Sequence, residues 1–189
     1  LVSYTQGDIT ATSGGYLSSF TDLSVTLSAQ TITFTQNLTK KLNESPFPFN
    51  ATASSGLGMT YSSSNLAVIT INNNIATLKS VGTSVITARQ AGNSTYAPAK
   101  YIRTLTVNKG DQTITFDPLP EKAIGDPDFN LTATASSNLT VSFASSNPEV
   151  ATVAGSLVHI VSNGTTVITA SQSGSANWNP APDVPQNLT

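Results

Sequence analysis

The chain contains no cysteine, so disulfide staples and thiolate metal sites are excluded. It has one histidine, one tryptophan and one methionine, which leaves almost no material for acid–base or nucleophilic catalysis. Charged residues make up only 10% of the 189, and the formal net charge is −2. A balance so close to neutral gives no overall electrostatic footprint for nucleic acid or an anionic membrane. No apolar run reaches the roughly 18 residues of a membrane-spanning helix. The first residue is not Met, and no basic-then-apolar leader opens the chain. A processed precursor or an excerpt of a longer protein is the expectation. Long helix formers are sparse and no window carries a convincing 3.6-residue period. Thr, Val, Ile and the aromatics, which favour a pleated and half-buried surface, are plentiful, and the fold class expected is all-β.

What is present is an internal repeat. Gln30-Thr31-Ile32-Thr33-Phe34 returns as Gln112-Thr113-Ile114-Thr115-Phe116, 82 positions later. The same shift carries Ala51-Thr52-Ala53-Ser54-Ser55 onto Ala133-Thr134-Ala135-Ser136-Ser137, Ser63-Ser64-Asn65 onto Ser145-Ser146-Asn147, and Val85-Ile86-Thr87-Ala88 onto Val167-Ile168-Thr169-Ala170. Tyr96 falls on Trp178, and the shift is expected to hold without a gap. A fixed period sets the architecture before any residue chemistry is considered. Residues 29–109 and 110–189 are expected to be two full units. Residues 1–28 are expected to be the closing strands of a preceding repeat, or strands for donation, with Tyr16 at the place of Tyr96. The linker near residues 108–111 is short enough to restrict motion and to give an extended array.

Within the first unit, residues 31–34 read as a period-2 strand with Ile32 and Phe34 inward. Residues 35–46 read as a polar connection, residues 49–53 as a second strand and residues 59–61 as a third. Residues 67–71 and 75–78 flank Asn72-Asn73-Asn74, a hairpin turn, because Asn tolerates left-handed backbone. Residues 84–88 and 101–107 close the unit. The second unit repeats this, with Ala154-Gly155-Ser156 at the hairpin, and stops partway through its closing strand. Ile114, Phe116, Phe143, Val153, Ile160, Ile168 and Ala170 are its expected core. About seven short strands per unit, with turn signals every eight to twelve residues, indicate tandem β-sandwiches of the immunoglobulin type. No Cys…Trp…Cys pattern makes them antibody-like.

The residues resemble tandem bacterial Ig-like domains of the group-2 and MBG type, found in secreted and cell-surface proteins. The resemblance is carried by residues 112–116, Leu119-Pro120, and residues 125–129, 131–137, 145–153 and 164–172. It spans about residues 29–189. Residues 43–46, Asn-Glu-Ser-Pro, depart from it, since the Gly-Asp-Pro-Asp turn of residues 125–128 is absent there. The resemblance implies stalks, spacers or adhesive fibres without an active site, cofactor or metal.

Four groups of residues are candidates for chemistry, contact or modification. His159 lies on a strand whose Val158 and Ile160 face inward. It is therefore expected to point to solvent with no carboxylate near it in sequence, and no catalytic residue is expected. Asp126 and Asp128 could ligate Ca²⁺ but sit in an Asp-Pro turn without ligand spacing, so a turn is the expected role. Tyr96 and Trp178 follow Gly-containing loops; they are either plugs at the end of the core or ligand contacts that stack on sugar rings. Asn37, Asn43, Asn50, Asn93, Asn130, Asn138, Asn163 and Asn187 head Asn-X-Ser/Thr sequons, a modest excess over composition, and would carry N-glycans in a host that makes them.

The expected role is structural and non-enzymatic: a segment of an extracellular surface filament, stalk or adhesin shaft. Its partners would be neighbouring copies or adjacent Ig-like repeats, with no nucleic acid and no membrane insertion. Strands 9–12 and 23–27 would allow polymerisation by β-strand exchange. The competing expectations are a carbohydrate- or protein-binding surface module, whose loops at residues 91–98 and 173–180 make the contact, and a virion decoration or tail protein.

Overall fold

The computed structural model describes residues 26–189, and no helix forms among them. Strands 9–12 and most of 23–27 fall outside the described residues. The first unit runs β1 (Ile32–Thr33), β2 (Thr39–Lys41), β3 (Phe47–Pro48), β4 (Thr52–Ala53), β5 (Thr60–Ser63), β6 (Ile69–Asn72), β7 (Ile75–Leu78), β8 (Gly82–Gln90) and β9 (Ala99–Asn108). β1 pairs with β4, and β3 pairs with the β7–β6 hairpin. These make one layer, because β3 and β4 are the two ends of a single extended stretch around buried Phe49 and Ala51. The facing sheet has the order β2-β9-β8-β5. The second unit follows the plan without a counterpart of β2: β10 (Ile114–Phe116), β11 (Phe129–Asn130), β12 (Ala133–Ala135), β13 (Ser142–Ser145), β14 (Ala151–Ala154), β15 (Leu157–Ile160), β16 (Thr166–Ser171) and β17 (Val184–Leu188), with its second sheet in the order β13-β16-β17. The fold is all-β, built of immunoglobulin-like sandwiches.

Alternation decides which side chains meet. Ile32, Phe34, Ile86, Ala88, Leu105 and Val107 are buried in one hydrophobic cluster, and Ile114, Phe116, Val158, Ile168, Ala170 and Leu188 in another. Phe143 and Val153 are half-buried against the second cluster. Phe34, Phe49 and Tyr61 stack in the first core, with the Phe34 and Phe49 rings edge-on at 5.7 Å. The second core has Leu131 and Phe143 at the places of Phe49 and Tyr61, and keeps a single aromatic pair, Phe116 with Phe143 at 5.4 Å. Both hairpins turn where expected, with Asn73 at φ 55° and Gly155 at φ 65°.

Two sequence expectations need correction. Residues 35–46 are not merely a polar connection. Leu38 is buried, and β2 crosses to the opposite sheet, where it runs parallel to β9 with Thr39 opposite Thr106. Two leucines, Leu38 and Leu42, four positions apart in a polar stretch give no period-2 pattern that registers as a strand. Second, the 82-residue shift does not hold to the end. Ile86 faces Arg103, whereas Ile168 faces Gln186, a shift of 83. Ala181 still donates its N–H to the Gln172 carbonyl at 2.9 Å, yet Ala170 already faces Val184. Pro182 and Asp183 therefore share the place opposite Ser171, a β-bulge that Pro, lacking an N–H, favours. The shifted alignment pairs like with like: Arg103 donates to the Phe34 carbonyl at 2.8 Å and Gln186 to the Phe116 carbonyl at 2.8 Å.

Candidate functional site: the aromatic loops and the joint

The loops at residues 91–98 and 173–180 are built by the recurring glutamines. Gln112, first residue of the repeated pentapeptide, is buried with Gln172. Its amide donates to the Gln172 side-chain oxygen and to the Asn179 carbonyl, both at 2.6 Å, and its own oxygen accepts from Ser137. Gln172 in turn accepts the Gly174 N–H. Gln30, Gln90, Ser55, Ala97 and Gly92 form the same network in the first unit. A buried amide with all its partners in place holds its neighbours in one arrangement. Here the neighbours are the two ends of the loop. Gly174, at φ 84°, is required at the bend because a Cβ there would lie 2.5 Å from the Trp178 carbonyl oxygen. This network escaped the sequence reading, although the paired recurrence of Gln30/Gln112, Gln90/Gln172 and Ser55/Ser137 was its signal.

The loop of the second unit delivers Trp178 to the junction between the units. Gly110 and Trp178 form a parallel bridge, with the Gly110 N–H on the Asn177 carbonyl at 3.0 Å and the Asn179 N–H on the Gly110 carbonyl at 2.9 Å. The half-buried indole lies so close that a Cβ on Gly110 would meet Cζ3 at 2.8 Å. The first unit joins the contact. The Val81 N–H donates to Asn177 Oδ1 at 3.1 Å, and the Asp111 N–H to Asn43 Oδ1 at 3.3 Å. Asp111 pairs with Lys41 and accepts from Asn179 at 2.8 Å. The Lys41 ammonium, and after it the Asn179 amide, hold the Asp111 carboxyl below its ordinary value. Glu44, in the adjoining turn, is lowered chiefly by the Lys41 backbone N–H and also by the Lys40 ammonium at 3.0 Å. In the first unit, half-buried Tyr96 makes the matching bridge to Ser28.

The remaining candidates lie apart from this junction. His159 is exposed, as alternation requires, but it does have a carboxylate partner, Asp128 Oδ1 at 2.7 Å. The two are 31 positions apart and come together because β11 pairs with β15, a register that local sequence does not reveal. Asp126 closes its turn by accepting the Ala123 N–H at 3.0 Å. Among the described residues no group of three or more His, Asp or Glu side chains is placed to hold a metal. Asn37, Asn43, Asn50, Asn93, Asn130, Asn138, Asn163 and Asn187 are all exposed. A shallow cleft of about 740 Å³ opens beside Gly56 and Gly58, walled by Met59, Tyr61 and Asn73.

No protein-family model matches the chain, and no curated protein matches it. Among solved structures it is similar to Drosophila N-cadherin EC1–4, at 13% identity and TM-score 0.37, covering 86% of this chain and 49% of that one. It is similar to domains 4 and 5 of the S-layer protein SbsC, at 20% identity and TM-score 0.34, covering 87% and 98%. A SusE-like surface located polysaccharide binding protein from Bacteroides thetaiotaomicron is similar at 14% identity and TM-score 0.32, covering 84% and 34%. The chain thus spans about half the length of the cadherin fragment.

Proposed function

We propose that this chain is a non-enzymatic structural segment of an extracellular filament, stalk or adhesin shaft, in which residues 29–109 and 110–189 are successive Ig-like repeats. The observation that carries the reading is the junction. A spacer must transmit direction from one repeat to the next. Two inter-unit hydrogen bonds, Val81 to Asn177 and Asp111 to Asn43, and the Lys41–Asp111 pair tie the second unit to the first, with Trp178 packed on Gly110 beside them. In this reading Tyr96 serves the same purpose towards whatever precedes Ser28. The eight exposed sequon asparagines would carry a glycan coat that solvates a surface with few charges.

The test is NMR relaxation on the intact chain. A shaft segment gives both units one common rotational correlation time, and Trp178→Ala with Asn177→Ala separates them. Two independent correlation times in the unaltered chain sink the proposal. Electron microscopy of gently extracted native material then separates a polymer from a tethered stalk.

A further inference from the structure

The near-zero net charge conceals a division. Seven of the eight Lys and Arg lie in residues 29–109, where Glu44 is the only acid, a formal charge of +6. Seven of the ten Asp and Glu lie in residues 110–189, where Lys122 is the only base, a formal charge of −6. The junction neutralises one cation of the first unit with one acid of the second, Lys41 with Asp111.

The excess has a surface to act from. On the outer face of the four-stranded sheet, Arg89 stands directly opposite Lys100, next to the Thr87–Ile102 and Val85–Thr104 pairs. Like charges directly opposite destabilise a sheet unless something neutralises them. No acid forms an ion pair with either among the described residues. Beside them Val85 and Ile102 are 40% and 52% exposed. The face is therefore apolar at its middle and cationic at its end. The corresponding place in the second unit has the opposite sign, since Ser171 replaces Arg89 and exposed Asp183 sits in the bulge opposite it.

We infer that this face docks on the acidic unit of a second copy of the chain. Equal and opposite charges on two halves favour an antiparallel pair with a two-fold axis, which sets first unit against second unit twice and leaves no unmatched half. This inference rests on the distribution of charge and does not depend on strand exchange or on a shaft role.

Sedimentation velocity of the full chain tests it. At about 20 mM salt the chain is expected to dimerise, and at about 500 mM, where screening falls to a few ångströms, the association constant drops at least tenfold. Arg89→Glu with Lys100→Glu gives a monomer at both. Asp183→Lys with Glu121→Lys, the latter an exposed acid of the second unit between β10 and β11, gives the same. An equimolar mixture of the two variants restores a dimer, because both contacts are again of opposite sign. Arg89→Gln with Lys100→Gln, which introduces no repulsion between neighbours, retains the fold and loses the dimer, and a melting curve checks the fold. A monomer at low salt, association that survives the charge reversals, or a mixture that fails to pair overturns the inference. So does a monomeric chain that binds dextran sulfate through Arg89 and Lys100, since the partner is then a polyanion.

Discussion

Single side chains show how sharply the interior and the junction are specified. Ile168 is wholly buried between β13 and β17. Ile168→Ala is expected to cost about 2–5 kcal/mol in chemical denaturation, the usual range for a deleted core side chain with its cavity. Ile168 was legible from alternation alone, as were Ile114, Phe116 and Ile160. Val153 was placed inward by the same rule and lies half-buried, since β14 is the outer strand of its sheet and its side chains are covered from fewer directions. Gly110 gives a second test. A methyl group there collides with the indole at 2.8 Å, so Gly110→Ala is expected to lose about 1–3 kcal/mol by overpacking. Trp178 is the only tryptophan, so its fluorescence reports the junction directly. Gly110→Ala should shift its emission to the red, and an unchanged spectrum would show that the ring does not pack on the glycine.

At the scale of the element, the aromatic loop and the turn at residues 41–44 act together. The Asp111 carboxyl is lowered by Lys41, so its contribution exists above the ordinary carboxylate range and disappears as pH falls through the depressed value. The difference in junction rigidity between the parent chain and Asp111→Asn should therefore be full at neutral pH and vanish in acid, as followed by Trp178 fluorescence or NMR relaxation. A difference that persists at low pH would assign the effect to packing instead. Gln112→Leu keeps the volume but leaves the Asn179 carbonyl without its side-chain donor, Ser137 without its acceptor and Gln172 with only the Gly174 N–H. Removing one member of such a buried network costs about 1–3 kcal/mol. Loop 173–180 should then lose amide-exchange protection before the rest of the unit does. The strands were readable wherever period-2 patterns ran for four residues or more. β2 was not, because one buried leucine and a parallel partner 67 positions away leave no local period. The bulge at Pro182-Asp183 was hidden because the sequence there has too little identity between units to reveal an insertion.

For the whole molecule, the all-β fold was legible from composition and strand patterning, and the 82-residue recurrence needs no structural knowledge to detect. The Trp178 junction was half legible. The recurrence of an aromatic was visible, but a ring that plugs a core and a ring that seats on a linker leave the same mark in sequence. The charge division was fully legible and was lost in averaging, as +6 and −6 disappear inside a total of −2. It becomes meaningful only when the pairing of β8 with β9 sets Arg89 opposite Lys100. Peptide mass spectrometry of native material addresses the sequons. Hexose-bearing peptides are expected at several of the eight, and all eight unmodified would remove the glycan coat from the proposal.

The crossing of β2 has a consequence for load. Its N-terminal position and its parallel pairing with β9, the last strand of the unit, mean that pulling residues 29 and 109 apart draws the two strands in opposite directions along their length. The bonds from the Thr106 N–H to the Leu38 carbonyl and from the Leu42 N–H to the Asn108 carbonyl, with the ladder between them, must then rupture together in shear. An antiparallel hairpin at the same place would open one bond at a time. The switch of a few polar residues from one sheet to the other therefore turns a weak terminal contact into a clamp that tightens on the axis of the chain.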